Sequence, residues 1–172
     1  MHTESVVRLK LQFGHLVINP HWHDDAEITI SITGELCVDP TDPSYLRGPD
    51  FVTFRSLISQ YVEREIAGKL LVWAADLDLM DFGYEMPQHN VHMWPFPPTA
   101  ETLAILVTSE AVRVADLMGA CVESVEMWES VRSGIRFDKE AVRGAALGSK
   151  ELLQSLNPSL VSAAYQGHSS LF

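Results

Sequence analysis

Neutral imidazole is the commonest metal ligand near pH 7, and three of the seven histidines in this chain fall close together, His15, His21 and His23. His21 and His23 are two residues apart. On a β-strand, residues i and i+2 point to the same face. Two imidazoles side by side on a strand can share one metal ion, with His15 arriving from a neighbouring strand. Three imidazoles and an open fourth position describe a catalytic zinc site. The plainer alternative is a set of surface histidines beside a turn.

The elements that would position these rings are legible as patterns. Val7, Leu9, Leu11 and Phe13 alternate with Arg8, Lys10 and Gln12, which predicts a half-buried strand over 5–13. Ile28, Ile30 and Ile32 alternate in a second strand over 21–38. The two are expected to form an antiparallel pair. Residues 39–49, rich in Pro, Gly and Asp, predict a loop. Asp50 is a suitable N-cap for a helix running through Phe51, Phe54, Leu57, Ile58, Tyr61, Val62 and Ile66, with Gly68 as its stop. The apolar stretch 69–75 fits a short strand or more helix. The stretch 76–98, with its prolines and aromatics, reads as a long loop carrying His89 and His92. Thr99 caps a second helix over 100–118, with Glu101 in its first turn. The stretch 121–128 alternates with one slip that fits a β-bulge, and 135–137 is a short last strand. The tail 139–172 is rich in Ala, Ser and Gly. It holds a candidate helix at 150–156 and ends in residues expected to fray. Residues 1–138 are expected to form one α+β domain with the order ββααββ, and 139–172 a partly helical or disordered extension of it.

A chain of 172 residues suffices for one domain with a real core. The net charge of −11 argues against non-specific nucleic-acid binding and against an anionic membrane surface. No apolar run approaches the roughly 20 residues that span a bilayer. No signal peptide is evident at the first residues. Two cysteines, Cys37 and Cys121, make no disulfide framework, and a reducing cytoplasm is the default expectation.

Four local matches resemble the 6-pyruvoyltetrahydropterin synthase and 6-carboxytetrahydropterin synthase family. His15, His21 and His23 match the family's three zinc-binding histidines, with Trp22 where its His-Gly-His has glycine. Gly48-Pro49-Asp50-Phe51 is similar to its motif at the first helix. Pro98-Thr99-Ala100-Glu101-Thr102-Leu103-Ala104 is similar to its Pro-Thr-Ala-Glu-Asn-Leu-Ala at the second helix, and is the most specific match. Trp128-Glu129-Ser130 matches an aromatic-Glu-Thr/Ser step whose glutamate grips a pterin ring. The resemblance covers roughly residues 5 to 137. It implies a tunnelling fold, an antiparallel sheet with two helices on one face that assembles into an oligomeric barrel. A homo-oligomer is implied, a hexamer with sites at subunit interfaces. The implied activity is a zinc-dependent lyase-like reaction on a pterin or related purine-derived heterocycle. Zn2+ would be held by His15, His21 and His23. Substrate would be held by Glu129, with Thr99 and Glu101 at the neighbouring helix start.

The chain departs from the family in its proton-transfer residues. The family's cysteine base falls on Val17. Its Leu-Asp-His falls on Ile66-Ala67-Gly68, or by a looser alignment on Leu77-Asp78-Leu79, and neither keeps the histidine. Proton transfer needs a positioned acid or base, and His89, His92 and Asp78 are the candidates. A non-catalytic binding module on the same scaffold is an alternative. So is a cupin, since His21-x-His23-x3-Glu27-x6-Gly34 is similar to a first cupin motif and Pro87-x4-His92 loosely to a second, giving His21, His23, Glu27 and His92 as metal ligands.

Overall fold

Ile28, Ile30 and Ile32 are fully buried, and the alternation that announces their strand also fixes its register. The computed structural model of the chain describes residues 2–16, 20–38, 41, 46–76 and 90–146. Val17, Asp78, His89 and the candidate helix at 150–156 lie outside them.

Strand β1 (His2–Leu16) pairs antiparallel with β2 (Pro20–Glu35) along nearly its whole length. β2 pairs antiparallel with β7 (Ala120–Ser130), and β7 with β8 (Ser133–Phe137). Opposed residues of an antiparallel pair share a face. Val7, Leu11 and Phe13 therefore meet Ile30, Ala26 and His23, and Ile28 and Ile30 meet Met127 and Val125. The expected slip in 121–128 is a bulge. Ser124 opposes Ser31 but Val122 opposes Ile32, so Glu123 is an extra residue and Val122 returns to the buried face.

Two helices cover that face. α1 (Phe51–Glu65) is capped by Asp50, whose carboxylate accepts from the Thr53 backbone N–H. It buries Phe54, Ile58 and Val62 in the core, each burial stabilising the fold by about 2 kcal/mol. It stops at Gly68, whose φ of +69° favours glycine. α2 (Ala100–Leu117) buries Leu103, Val107, Ala111 and Val114 in the same core. A third helix spans 139–146 and adds Val142 to it.

Two strands lie where periodicity was ambiguous or absent. β5 (Leu70–Trp73) joins β1 in parallel, and β6 (Val91–Trp94), inside the stretch expected to be a long loop, joins β5 in parallel. The sheet order is β6-β5-β1-β2-β7-β8. A further two-stranded ladder, β3 (Cys37–Val38) with β4 (Leu46–Arg47), precedes α1. Around β5 the sheet is covered on both faces. Leu71 enters the main core, while Leu16, Leu70 and Val72 form a separate cluster on the reverse.

Candidate metal centre

A second bulge builds the site. Leu11 opposes Ala26, but Phe13 opposes His23, so Asp24 and Asp25 together face Gln12. One extra residue inverts the alternation of β2. Downstream, the even residues Ala26, Ile28 and Ile30 face the helices. Upstream, the odd residues His23 and His21 do. Without the bulge, both rings would lie on the reverse face.

β1 supplies the third ring. His15 lies directly opposite His21. The ring centroids of His15 and His23 are 5.1 Å apart, those of His21 and His23 4.6 Å, and those of His15 and His21 5.8 Å. Phe13 packs against this group, 5.0 Å from the His23 ring and 6.3 Å from that of His15. On the reverse face the Trp22 indole lies across Gly14, where any β-carbon would stand 2.4 Å from it. Tryptophan in the place of the family's glycine is thus matched by a glycine on the neighbouring strand.

A carboxylate closes the group. Trp128 opposes Gly134 while Ser130 opposes Ser133, so Glu129 is the extra residue of a third bulge. It follows Met127 by two positions and shares its face. Its Oε1 lies 3.8 Å from Nε2 of the buried His23. One ligand atom from each of His15, His23 and Glu129 lies within 4.8 Å of the others. His15 Nδ1 and His23 Nε2 are buried and have no hydrogen-bond partner. Buried polar atoms are rarely left so unless something else satisfies them, and two orphaned imidazole nitrogens beside a carboxylate are a donor set that fits a divalent cation.

Burial lowers the His15 pKa first, and the neighbouring His23 and His21 lower it further, against a raising effect of the Pro98 backbone. Burial also lowers the His23 pKa, with Glu129 acting in the opposite direction and His21 adding to the fall. Both rings are therefore held neutral at pH 7, the state a metal ligand requires.

The Pro98–Ala104 motif stands beside this group through Pro98. Thr99 is the N-cap of α2, in a reciprocal box in which Thr99 Oγ1 accepts from the Thr102 N–H and Thr102 Oγ1 accepts from the Thr99 N–H. The Thr102 hydroxyl also donates to the Pro97 carbonyl. Glu101 is exposed on the first turn. The structure thus gives Thr99 a capping part and sets Glu101 outside the His15–His23–Glu129 group.

His92 lies on β6 in the cross-strand row His21, His15, Leu71, His92. Two strand spacings separate it from His15, about 10 Å. Its Nε2 meets Glu65 Oε2 at 3.3 Å, and the Trp94 indole donates to the Glu65 carbonyl, clipping β6 to the end of α1. Nothing in the sequence pairs residues 65 and 92. The cupin ligand set is divided by the sheet. Glu27 lies between Ala26 and Ile28, opposite Lys10, and so on the face away from His23. With two core helices and parallel strands, the chain is not a cupin.

No protein-family model and no curated protein matches the chain. Solved structures do. An uncharacterized protein from Wolinella succinogenes superposes with a TM-score of 0.56 at 12% identity, over 80% of this chain and 98% of that one. A 6-pyruvoyltetrahydropterin synthase from Plasmodium vivax, a catalytic-residue mutant, gives a TM-score of 0.51 at 10% identity, over 80% of this chain and 97% of that one. No helix among the described residues is long and apolar enough to cross a membrane. Beneath its three bulges and its parallel flank, the chain has the fold of 6-pyruvoyltetrahydropterin synthase, the tunnelling fold that its four motifs imply.

Proposed function

We propose that this protein is a metal-dependent, lyase-like enzyme acting on a pterin or a related purine-derived heterocycle. The observation that carries the reading is the pair of orphaned, buried imidazole nitrogens of His15 and His23 beside the Glu129 carboxylate, on the fold of a pterin synthase. His15 and His23 would hold the ion, with a third protein ligand from the residues beside them, His21 or Glu129. When bound there, a divalent cation such as Zn2+ supplies Lewis acidity towards a substrate hydroxyl or carbonyl oxygen.

The chain's own residues provide the rest. The β1–β2 ladder fixes the rings before substrate arrives, which avoids reorganisation during the reaction. Phe13 excludes water from their inner side. Proton transfer is assigned to His92. The Glu65 carboxylate, an acceptor, lies 3.3 Å from Nε2 and favours the tautomer that carries its proton there. A homo-oligomer that completes the cleft at a subunit boundary belongs to the same reading.

The test is metal content and turnover of the full chain. A 7,8-dihydropterin bearing a hydroxylated side chain is the probe. Stoichiometric metal, its loss in the His15→Ala, His23→Ala double variant, and metal-dependent turnover are expected. Unchanged metal content in that double variant overturns the centre. A second reading, a binding module without turnover, is favoured by Val17 and Gly68 standing where the family has its cysteine and histidine. Metal and pterin binding without product would establish it.

A further inference from the structure

We infer that Glu129, rather than His21, is the third protein ligand of the metal, so that the centre is a two-histidine, one-carboxylate site. The inference rests on the metal centre proposed above and names its donor set. The family resemblance gives Glu129 to the pterin ring and all three histidines to the ion. The geometry orders them differently. Glu129 Oε1 is 3.8 Å from His23 Nε2, and its carboxylate, not the His21 ring, joins His15 and His23 in the set of ligand atoms within 4.8 Å. Donors about 2.1 Å from a tetrahedral ion stand roughly 3.4 Å apart, so a small rotation of these side chains seats a cation among them.

Burial separates the same residues. His23 is buried and Glu129 and His15 are partly buried, whereas His21 is exposed. The two orphaned nitrogens belong to His15 and His23. A carboxylate in place of one imidazole hardens the donor set and lowers the net charge of the loaded centre. Mn2+, Fe2+ and Co2+ are then accepted beside Zn2+. If Glu129 binds the ion through one oxygen, the other is left to accept a single N–H from a ligand.

The experiment measures Zn2+ and Co2+ affinity of the purified full chain by competition with a chromophoric chelator, together with the visible absorption of the Co2+ form. Glu129→Ala is expected to weaken Zn2+ binding by about 100-fold or more, beyond the loss typical of an outer-sphere partner, and to change the Co2+ spectrum. His21→Ala is expected to weaken it less than about 10-fold and leave the spectrum in place. Glu129→Gln keeps the shape of the side chain, and circular dichroism confirms its fold, so a weakened affinity there is a ligand effect. The inference is overturned if Glu129→Ala binds Zn2+ as the wild type does while His15→Ala does not, or if His21→Ala loses more affinity than Glu129→Ala. Either result leaves a three-histidine centre standing. A wild-type chain that binds neither ion removes the centre and the inference together.

Discussion

Phe13 and His23 stand directly opposite each other across the β1–β2 ladder, with ring centroids 5.0 Å apart and planes tilted by 31°. Phe13 is fully buried and belongs to the main core, so one side chain both stabilises the sheet and orients a candidate ligand. Phe13→Ala is expected to cost about 3–5 kcal/mol of stability and to weaken Zn2+ binding as well. Phe13→Leu keeps most of the volume and should cost much less. Chemical denaturation of the metal-free protein, with chelator competition on the same samples, separates the two effects. Equal Zn2+ affinity in Phe13→Ala and wild type would show that the ring plays no part in holding His23.

The bulge at Asp24 and Asp25 makes a sharper prediction. Deleting Asp24 and Asp25 together puts His23 next to Ala26 and, by plain alternation, turns His21 and His23 towards the reverse face, while leaving the Ile28–Ile32 register with β7 intact. The expected result is a folded protein, with near-native circular dichroism, that no longer binds Zn2+. Deleting Asp25 alone leaves Asp24 opposite Gln12 and His23 opposite Phe13, and should keep the rings on the helix-facing side and bind. If the double deletion binds Zn2+ as tightly as wild type, the alternation at this point of β2 does not place the rings.

These bulges mark where the sequence is silent. The long alternations of β1 and β2 and the 3.6-residue spacing of both core helices are visible because each buries one face. The slip near Val122 is visible because two apolar periods meet there. Asp24-Asp25 leaves no such trace, since both residues are polar in either register. The stretch Leu70-Leu71-Val72 has no period to read, because Leu71 enters one core and its neighbours another. β6 hides among prolines and aromatics. The histidines are legible as types at a spacing. Their alliance with Glu129 depends on two strand registers that no spacing in the sequence shows, and only the resemblance of Trp128-Glu129-Ser130 points to that residue.

Glu123 is one source of acid sensitivity. Glu123 Oε1 accepts from Lys139 Nζ at 2.7 Å and from Thr33 Oγ1 at 2.7 Å, tying the start of the 139–146 helix to the sheet. The Lys139 bond and then the Thr33 bond lower the Glu123 pKa below 4.5. A carboxyl depressed in the folded state stabilises above its unfolded pKa, and that contribution is lost as pH falls through the folded value. Glu123→Gln should therefore be less stable than wild type at pH 7, and the difference should shrink as pH falls below 4.5. Half of the Lys139 side chain is exposed, so the cost at pH 7 should be about 1 kcal/mol or less. Denaturation midpoints across that pH range check it, and a difference that grows on acidification would contradict the assignment.

His92 and Glu65 separate chemistry from architecture. If His92 transfers the proton, His92→Gln should reduce turnover of the dihydropterin probe by roughly 100-fold to 10,000-fold and leave metal content unchanged. The contact to Glu65 orients the ring, so Glu65→Gln should lower turnover less. The Trp94 indole still reaches the Glu65 backbone carbonyl in both variants, so the clip between β6 and α1 should survive and the thermal midpoints should stay close to wild type. A purely structural His92 would give the reverse pattern, a lowered midpoint with turnover preserved. Since metal binding is measured on the same protein, a loss of turnover caused by a disturbed centre would be recognised, and His92 would lose its assignment.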